Sequence, residues 1–432
     1  MTTSAFLIAA PSSGAGKTTL TLGLLRALHN REMKVQAFKS GPDYIDTKFH
    51  ELATQKPSIN LDMFFCEDDE IQQLFNYYAK DKDVAIIEGV MGLFDGYDRQ
   101  KGSSSAIAKL LDIPVVLVVN GKSVAYSMAA LLYGYKNFDK DIRIAGVIFN
   151  NVSTESHYKI LKDAAESVGL KSFGYVPVNK NISVPSRHLG LNIDEKYRLT
   201  SYADELANHV QNHVDIDLLL KSTKKEILST NKFRIPKSQN LKIGIAKDEA
   251  FNFMYPENVR KLASLGEVSF FSPIRDQALP EKLTHIYLPG GYPEFFLEEL
   301  SQNTSMKTAI KEFAERGGYI WAECGGMLYL CQQMSDESGN TYPLANILNL
   351  QGTLEEMKLK LGYRQFEHNG IPLKGHEFHY SSLTENHEPS IAQLYSAKNK
   401  PVPTKLFRYK NVIAGYTHIY WKSHKDFLKI FD

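Results

Sequence analysis

The sequence predicts two α/β domains in tandem, each a mostly parallel sheet with helices packed on it. Three observations predict this. The chain has 432 residues, more than the roughly 100–200 residues that one domain usually organises. Short continuous apolar runs alternate with amphipathic stretches over 1–220 and again over 241–432, the pattern of strands buried on both faces between helices. Between the two series, 221–240 (KSTKKEILSTNKFRIPKSQN) is polar, carries five lysines and reads as a linker.

In the first series, strands are expected over 5–10, 35–38, 84–87, 114–119 and 144–149. Leu20, Leu24, Leu25 and Leu28 repeat at helical spacing, and further helices are expected over 105–111, 127–135 and 158–168. In the second series, strands are expected over 241–246, 268–271, 285–288 and 319–322, followed by a less regular, strand-rich region over 349–409.

Composition narrows the function. Net charge is +1, so no basic field points to nucleic acid and small-molecule partners are expected. No apolar run approaches the roughly 20 residues that span a membrane. The N-terminal apolar run has no basic segment before it and breaks at Pro11, so it reads as a buried strand and not as a signal peptide. The three cysteines, Cys66, Cys324 and Cys331, do not make a disulfide framework, and a cytoplasmic chain is expected.

Ser13-Gly14-Ala15-Gly16-Lys17-Thr18-Thr19 follows the first strand and opens the first helix. Glycines let backbone amides approach phosphates, and the helix N-terminus favours anions. Lys17 is expected to reach the outer phosphates and the Thr18 hydroxyl to sit on Mg²⁺. Pro11 stands where the full motif has glycine, so this is a variant P-loop. Acidic residues recur at the next strand ends: Asp43 and Asp46 in GPDYID, Glu88 and Asp95 in EGVMGLFDG. In an open parallel sheet, ligands sit beyond the strands' carboxyl ends. Asp43 and Glu88 are therefore expected at the metal beside Thr18, and Asp46 and Asp95 at the substrate. The plain alternative is turn chemistry. Asn150, ending AGVIFNN, is a candidate for reading adenine, or else a turn residue before Thr154.

In the second series, Tyr319-Ile320-Trp321-Ala322-Glu323-Cys324-Gly325-Gly326 reads as a strand, a tight turn and a helix start. A nucleophile on such an elbow stands exposed above the sheet. Gly290 and Gly291 of LPGGYPE form a glycine turn whose amides would serve as an oxyanion hole. His418, in YTHIY, offers a base. Cys331 reads as a core residue, and Cys66 has no visible partner.

These motifs together resemble the cobyrinic acid a,c-diamide synthase family. The resemblance runs through nearly the whole chain. It rests on APSSGAGKTT, FKSGPDYIDTKFH, the NLD at 60–62, EGVMGLFDG, VPSRHLGL, AKDEAFNFMYPENV, LPGGYPE, ECGGMLYL and GHEFHYS. It implies a P-loop NTPase-like fold, similar to dethiobiotin synthetase, over 1–220, and a class I glutamine amidotransferase domain over 241–432. It implies stepwise amidation of the c and then the a acetate of a corrinoid with ATP, Mg²⁺ and glutamine. A homodimer is among the assemblies it admits. Asp43, Asp46, Glu88 and Asp95 match the acids of the synthetase site, and Cys324 and His418 the glutaminase nucleophile and base. Two positions depart from the pattern: Asn120 replaces an aspartate, and Tyr420 replaces the glutamate two residues after the histidine. Glu377 in GHEFHYS is the alternative orienting group. Amidation of another tetrapyrrole, hydrogenobyrinic acid or nickel-sirohydrochlorin, would use the same motifs. A regulatory P-loop ATPase of the partitioning type would leave Cys324 without a task.

Overall fold

The computed structural model describes residues 2–179, 193–228, 240–384, 388–421 and 427–431. Contacts divide the chain into two compact units, Met1–Arg234 and Ile235–Asp432. No described helix is long and apolar enough to cross a membrane.

The first unit runs β1 (Thr2–Ala9), α1 (Lys17–Asn30), β2 (Val35–Ser40), α2 (Ile45–Thr54), β3 (Ile59–Leu61), α3 (Asp68–Ala79), β4 (Val84–Glu88), α4 (Ser104–Leu110), β5 (Val115–Asn120), α5 (Met128–Phe138), β6 (Ile144–Val152), α6 (Glu155–Ser167), β7 (Ser172–Pro177), α7 (Ile193–His213), α8 (Ile216–Ser222) and β8 (Lys224–Glu226). Strand order is β3-β2-β4-β1-β5-β6-β7, all parallel. From β1 the chain builds outward through β2 and β3, returns at β4, and crosses to the other side at β5. This reversal opens a crevice at the carboxyl ends of β1 and β4. Leu20, Leu24 and Leu28 of α1 point into the core, which they share with Phe6 and Ile8 of β1 and with Leu206 and Val210 of α7.

The stretch expected as a linker begins differently. Helix α8 reaches Ser222, and β8 pairs antiparallel with Thr2–Ser4. Three charged residues in a row give this pairing with the central β1 no apolar signal. Residues 229–239 of that stretch lie outside the described residues.

The second unit runs β9 (Leu241–Ala246), α9 (Pro256–Leu265), β10 (Gly266–Phe271), β11 (His285–Leu288), a 3₁₀ turn (Pro293–Phe296), α10 (Leu297–Gln302), α11 (Thr304–Glu315), β12 (Tyr319–Glu323) and α12 (Gly325–Leu330). The strand-rich part follows: β13 (Gln333–Ser335), β14 (Thr341–Pro343), β15 (Gln351–Thr353), β16 (Lys360–His368), β17 (Ile371–His379), β18 (Ser382–Leu383), β19 (Tyr395–Ser396), β20 (Leu406–Tyr409), β21 (Val412–Gly415) and β22 (His418–Ile419). The main sheet is β10-β9-β11-β12-β21-β20, parallel except at β20. Two smaller sheets flank it, β14-β13-β15-β18 and β19-β16-β17-β22. Strand alternation divides the core into two layers. Ile286, Leu288, Ile320 and Ala322 face one layer, and Tyr287, Trp321 and Ile413 face the other.

Candidate functional site

A cavity of about 420 Å³ opens at the first unit's crevice and gathers Ser13, Gly14, Gly16, Lys17, Thr18, Thr19, Asp43, Asp46 and Glu88 of the expected residues. The loop needs its glycines. Gly16 has φ +95°, and a Cβ there would lie 2.1 Å from Asn150 Nδ2. That nitrogen donates to the Ala15 carbonyl at 2.9 Å, so Asn150 braces the loop from the end of β6. Lys17 Nζ donates to the carbonyls of Met91 at 2.6 Å and Ser12 at 3.2 Å. Burial, and then the charge of Lys39, lower its pKa.

The Thr18 hydroxyl donates to Glu88 Oε1 at 2.7 Å and lies 3.4 Å from Asp46 Oδ2. Lys39, which sequence reasoning missed, joins the two acids: Nζ is 2.5 Å from Asp46 Oδ2 and 3.0 Å from Glu88 Oε1. His50, also missed, lies 2.7 Å from Glu88 Oε2 through Nε2 and 2.9 Å from Ser58 Oγ through Nδ1. Two signals were available. Lys39 is the one charged residue of β2, and His50 follows Asp46 by one helical turn, on the same face. Burial opposes charge on Glu88, but Lys39 and the His50 hydrogen bond outweigh it and hold its pKa low. Burial also opposes charge on Lys39, and Asp46 and Glu88 outweigh it. Asp46 is the carboxylate left over, raised to about 8 by burial and then by Asp43.

In the structure the acids make different contacts. Asp43 Oδ1 accepts from the amides of Ile45 and Asp46, both at 2.8 Å, and so caps α2. Asp46, expected at the substrate, is the one that approaches Thr18. Asp95 Oδ2 accepts from the Gly92 amide at 3.0 Å and shapes its own loop. Asn120 Oδ1 accepts from the Lys122 amide at 3.0 Å. The Thr18 hydroxyl and the Glu88 and Asp46 carboxylates are hard oxygen donors that suit Mg²⁺. Among the described residues no group of three or more His, Cys, Asp or Glu is arranged to hold a metal alone. That donor set suits an ion that arrives with phosphate oxygens.

In the second unit, β12 ends in the expected elbow. Cys324 has φ 47° and ψ −107°, a strained backbone of the kind that clusters at active sites. Its amide donates to the Gly415 carbonyl at 2.7 Å. A Cβ on Gly326 would lie 2.1 Å from the Leu288 carbonyl oxygen, and one on Gly325 would lie 3.2 Å from the Gly291 amide nitrogen. The LPGG turn therefore packs against the elbow. It also packs against His418, whose Cε1 would lie 2.1 Å from a Cβ on Gly290. Burial, and then Glu294, push the Cys324 thiol well above its ordinary pKa. Burial, then His376 and His379, lower His418 to about 3. Cys331 is buried in the core as expected, and Cys66 is buried in the first unit.

Glu377 is engaged elsewhere. It pairs with Arg364 at 2.7 Å and accepts from Thr404 and Thr417, each at 3.1 Å. The Tyr420 ring packs against Tyr255. Among the described residues, Glu323 brings a carboxylate near His418, its Oε2 lying 3.9 Å from Nδ1.

Residues 6–191 match the CobQ/CobB/MinD/ParA nucleotide binding domain, and 242–426 match the CobB/CobQ-like glutamine amidotransferase domain. The chain is 39% identical over 440 residues to the cobyrinate a,c-diamide synthase of Caldanaerobacter subterraneus subsp. tengcongensis, covering 99% of this chain and 97% of that one. It is 41% identical over 437 residues to that of Clostridium acetobutylicum, covering 98% of each. The chain belongs to the cobyrinate a,c-diamide synthase family. As a member of that family with a glutamine amidotransferase domain, it is a glutamine-dependent carbon–nitrogen ligase. The VPSRHLGL motif, one of those carrying the family resemblance, lies outside the described residues.

Proposed function

We propose that the enzyme amidates the a and c acetate carboxylates of cobyrinic acid, using ATP and glutamine, in cobalamin biosynthesis. The observation that carries this reading is end-to-end similarity to relatives of that name, with both domains present. The working partners are small molecules, the compartment is the cytoplasm, and a homodimer is the assembly to test.

In the second unit, Cys324 gives its thiol proton to His418 and its sulfur attacks the glutamine amide carbon. The amides of Gly290 and Gly291 support the oxyanion. The C–N bond breaks, and His418 returns the proton to the departing nitrogen, which leaves as ammonia. Water then cleaves the thioester to glutamate. In the first unit, a substrate carboxylate oxygen attacks the γ-phosphorus of ATP, ADP leaves and an acyl phosphate forms. Lys17 and the loop amides bind the phosphates, with Asn150 and Asp95 holding the surrounding loops. Thr18, Glu88 and Asp46 would hold Mg²⁺, which when bound neutralises phosphate charge. Ammonia attacks the acyl carbon, phosphate leaves, and a proton is lost to give the amide.

Mass spectrometry of products from a panel of tetrapyrrole acids, with ATP and glutamine, tests the reading. Cobyrinic acid should gain two amides. Preferential conversion of hydrogenobyrinic acid or nickel-sirohydrochlorin would overturn the substrate assignment. Cys324→Ser should lose glutamine-supported synthesis and keep synthesis from added ammonia. Loss of both in a folded variant would overturn the division of labour.

A further inference from the structure

We infer that Glu323 is the orienting carboxylate of the glutaminase site, acting on His418 from the strand that carries the nucleophile. The inference rests on reading Cys324 and His418 as nucleophile and base. Alternation along β12 turns Glu323 to the same side as Trp321, into a layer built from Tyr287, Trp321, Ile419 and Trp421. An apolar residue is what that layer calls for, yet the position holds a carboxyl only 1% exposed. Its two oxygens have different partners. Oε1 accepts from Trp321 Nε1 at 2.9 Å and from the amide of Ile419 at 3.1 Å. Oε2 accepts from the Tyr287 hydroxyl at 2.7 Å and lies 3.9 Å from His418 Nδ1.

One oxygen thus fixes the backbone immediately after His418, while the other faces the imidazole. A separation of 3.9 Å is ion-pair distance once the ring is protonated, and both groups are buried, so bulk solvent screens the pair little. Hydrogen bonds at catalytic sites are often long before substrate binds and tighten afterwards. Taken singly, burial drives both groups neutral, raising Glu323 to about 8 and lowering His418 to about 3. Charged together, each relieves the other. The imidazolium that forms when Cys324 loses its proton is therefore stabilised by Glu323. Among the described residues, the other titratable groups acting on this cluster include His376, paired across β17 and β22, His379, and Glu294 and Glu377 near the thiol. None of them offers His418 a free carboxylate: Glu377 is held by Arg364, and Glu294 acts on the thiol.

The test measures alkylation of Cys324 by the glutamine-shaped chloroketone L-2-amino-4-oxo-5-chloropentanoate from pH 6 to 9.5, with peptide mass mapping, in the full chain. In Glu323→Gln the rate at pH 7 should fall about tenfold or more and the midpoint should move to higher pH. The kcat for glutamine hydrolysis should fall while KM changes by less than about twofold. Glu323→Asp should recover part of the rate. An unchanged profile in folded Glu323→Gln overturns the proposal. Labelling away from Cys324 in the unaltered chain overturns the underlying reading instead. If the variants do not fold, NMR titration of ¹⁵N-histidine in the unaltered, alkylated chain decides. A partnered His418 should titrate above pH 5, and one that stays neutral down to pH 4 overturns the proposal.

Discussion

Two carboxylates, Glu88 and Asp46, share the ammonium group of Lys39 beside the Thr18 hydroxyl. Their surroundings separate them: Lys39 and His50 support the charge on Glu88, while burial and then Asp43 oppose it on Asp46. Glu88, also bonded by His50, keeps its charge, and Asp46 is raised to about 8. A metal arriving with phosphates would supply the positive charge that lets both ionise. Lys17→Ala removes one phosphate clamp and Thr18→Ala one metal ligand. Each should lower ammonia-supported, ATP-dependent amidation by about 10²-fold or more, with glutamine hydrolysis retained. Parallel assays of the two half-reactions check this, and normal amidation by Lys17→Ala would remove the P-loop assignment. At this scale the sequence brought Asp43, Asp46 and Glu88 to one cavity with the P-loop, but not Lys39, and not what each acid contacts. Spacing in GPDYID does not say which aspartate caps α2 and which meets Thr18, because that depends on where the helix begins. Lys39 was legible only as a cation at a buried strand end, and its role follows from acids 7 and 49 positions away in the chain.

At the scale of elements, both sites are loops fixed by strand ends, and glycines set how closely the loops approach. Strands β1, β2, β4, β5, β6 and β9 to β12, with helices α1, α4, α5 and α6, were legible because continuous apolar runs and 3.6-residue repeats are local signals; β3, β7, α2, α3 and α7 were not among the expected elements. Strand β8 was not legible, since its pairing with β1 joins residues more than two hundred positions apart. The elbow at Cys324 was legible from its flanking glycines, while the link from Glu323 to His418 was not, because β22 is remote in sequence. Gly290 gives this scale its test. In Gly290→Ala the new Cβ would lie 2.1 Å from His418 Cε1, so the ring must move. Glutamine-supported synthesis should fall about 10²-fold while ammonia-supported synthesis persists. A glutaminase rate within about twofold of the unaltered chain would show that the turn does not set the position of the base.

At the scale of the whole molecule, the chemistry of the glutaminase unit leaves a signature in its stability against pH. Burial raises Glu323 to about 8 and Glu294 to about 7, from an ordinary 4.5. The folded unit therefore holds protons that the unfolded chain releases, and stability falls as pH rises from about 4.5 to 8. Burial also lowers His376 and His418 to about 3 and His379 to about 4, from an ordinary 6.5. The folded unit lacks protons that the unfolded chain takes up, so stability falls as pH drops from about 6.5. Between pH 4.5 and 6.5 the two slopes oppose each other. Above that window only the carboxyl slope remains, and below it only the imidazole slope. The argument holds whether the pair's one proton sits on Glu323 or on His418, whereas a Glu323 carboxylate facing a neutral His418 holds none and removes that pair's part of the alkaline fall. Calorimetry from pH 4 to 8.5 should show the glutaminase transition highest at mildly acidic pH and falling toward pH 8. Glu294→Gln, which removes one raised carboxyl, should flatten the alkaline fall and leave the acid side unchanged. A transition temperature that climbs steadily from pH 6 to 8 would mean that these carboxyls are ionised in the folded unit. Glu323 would then stand as a permanent carboxylate facing His418.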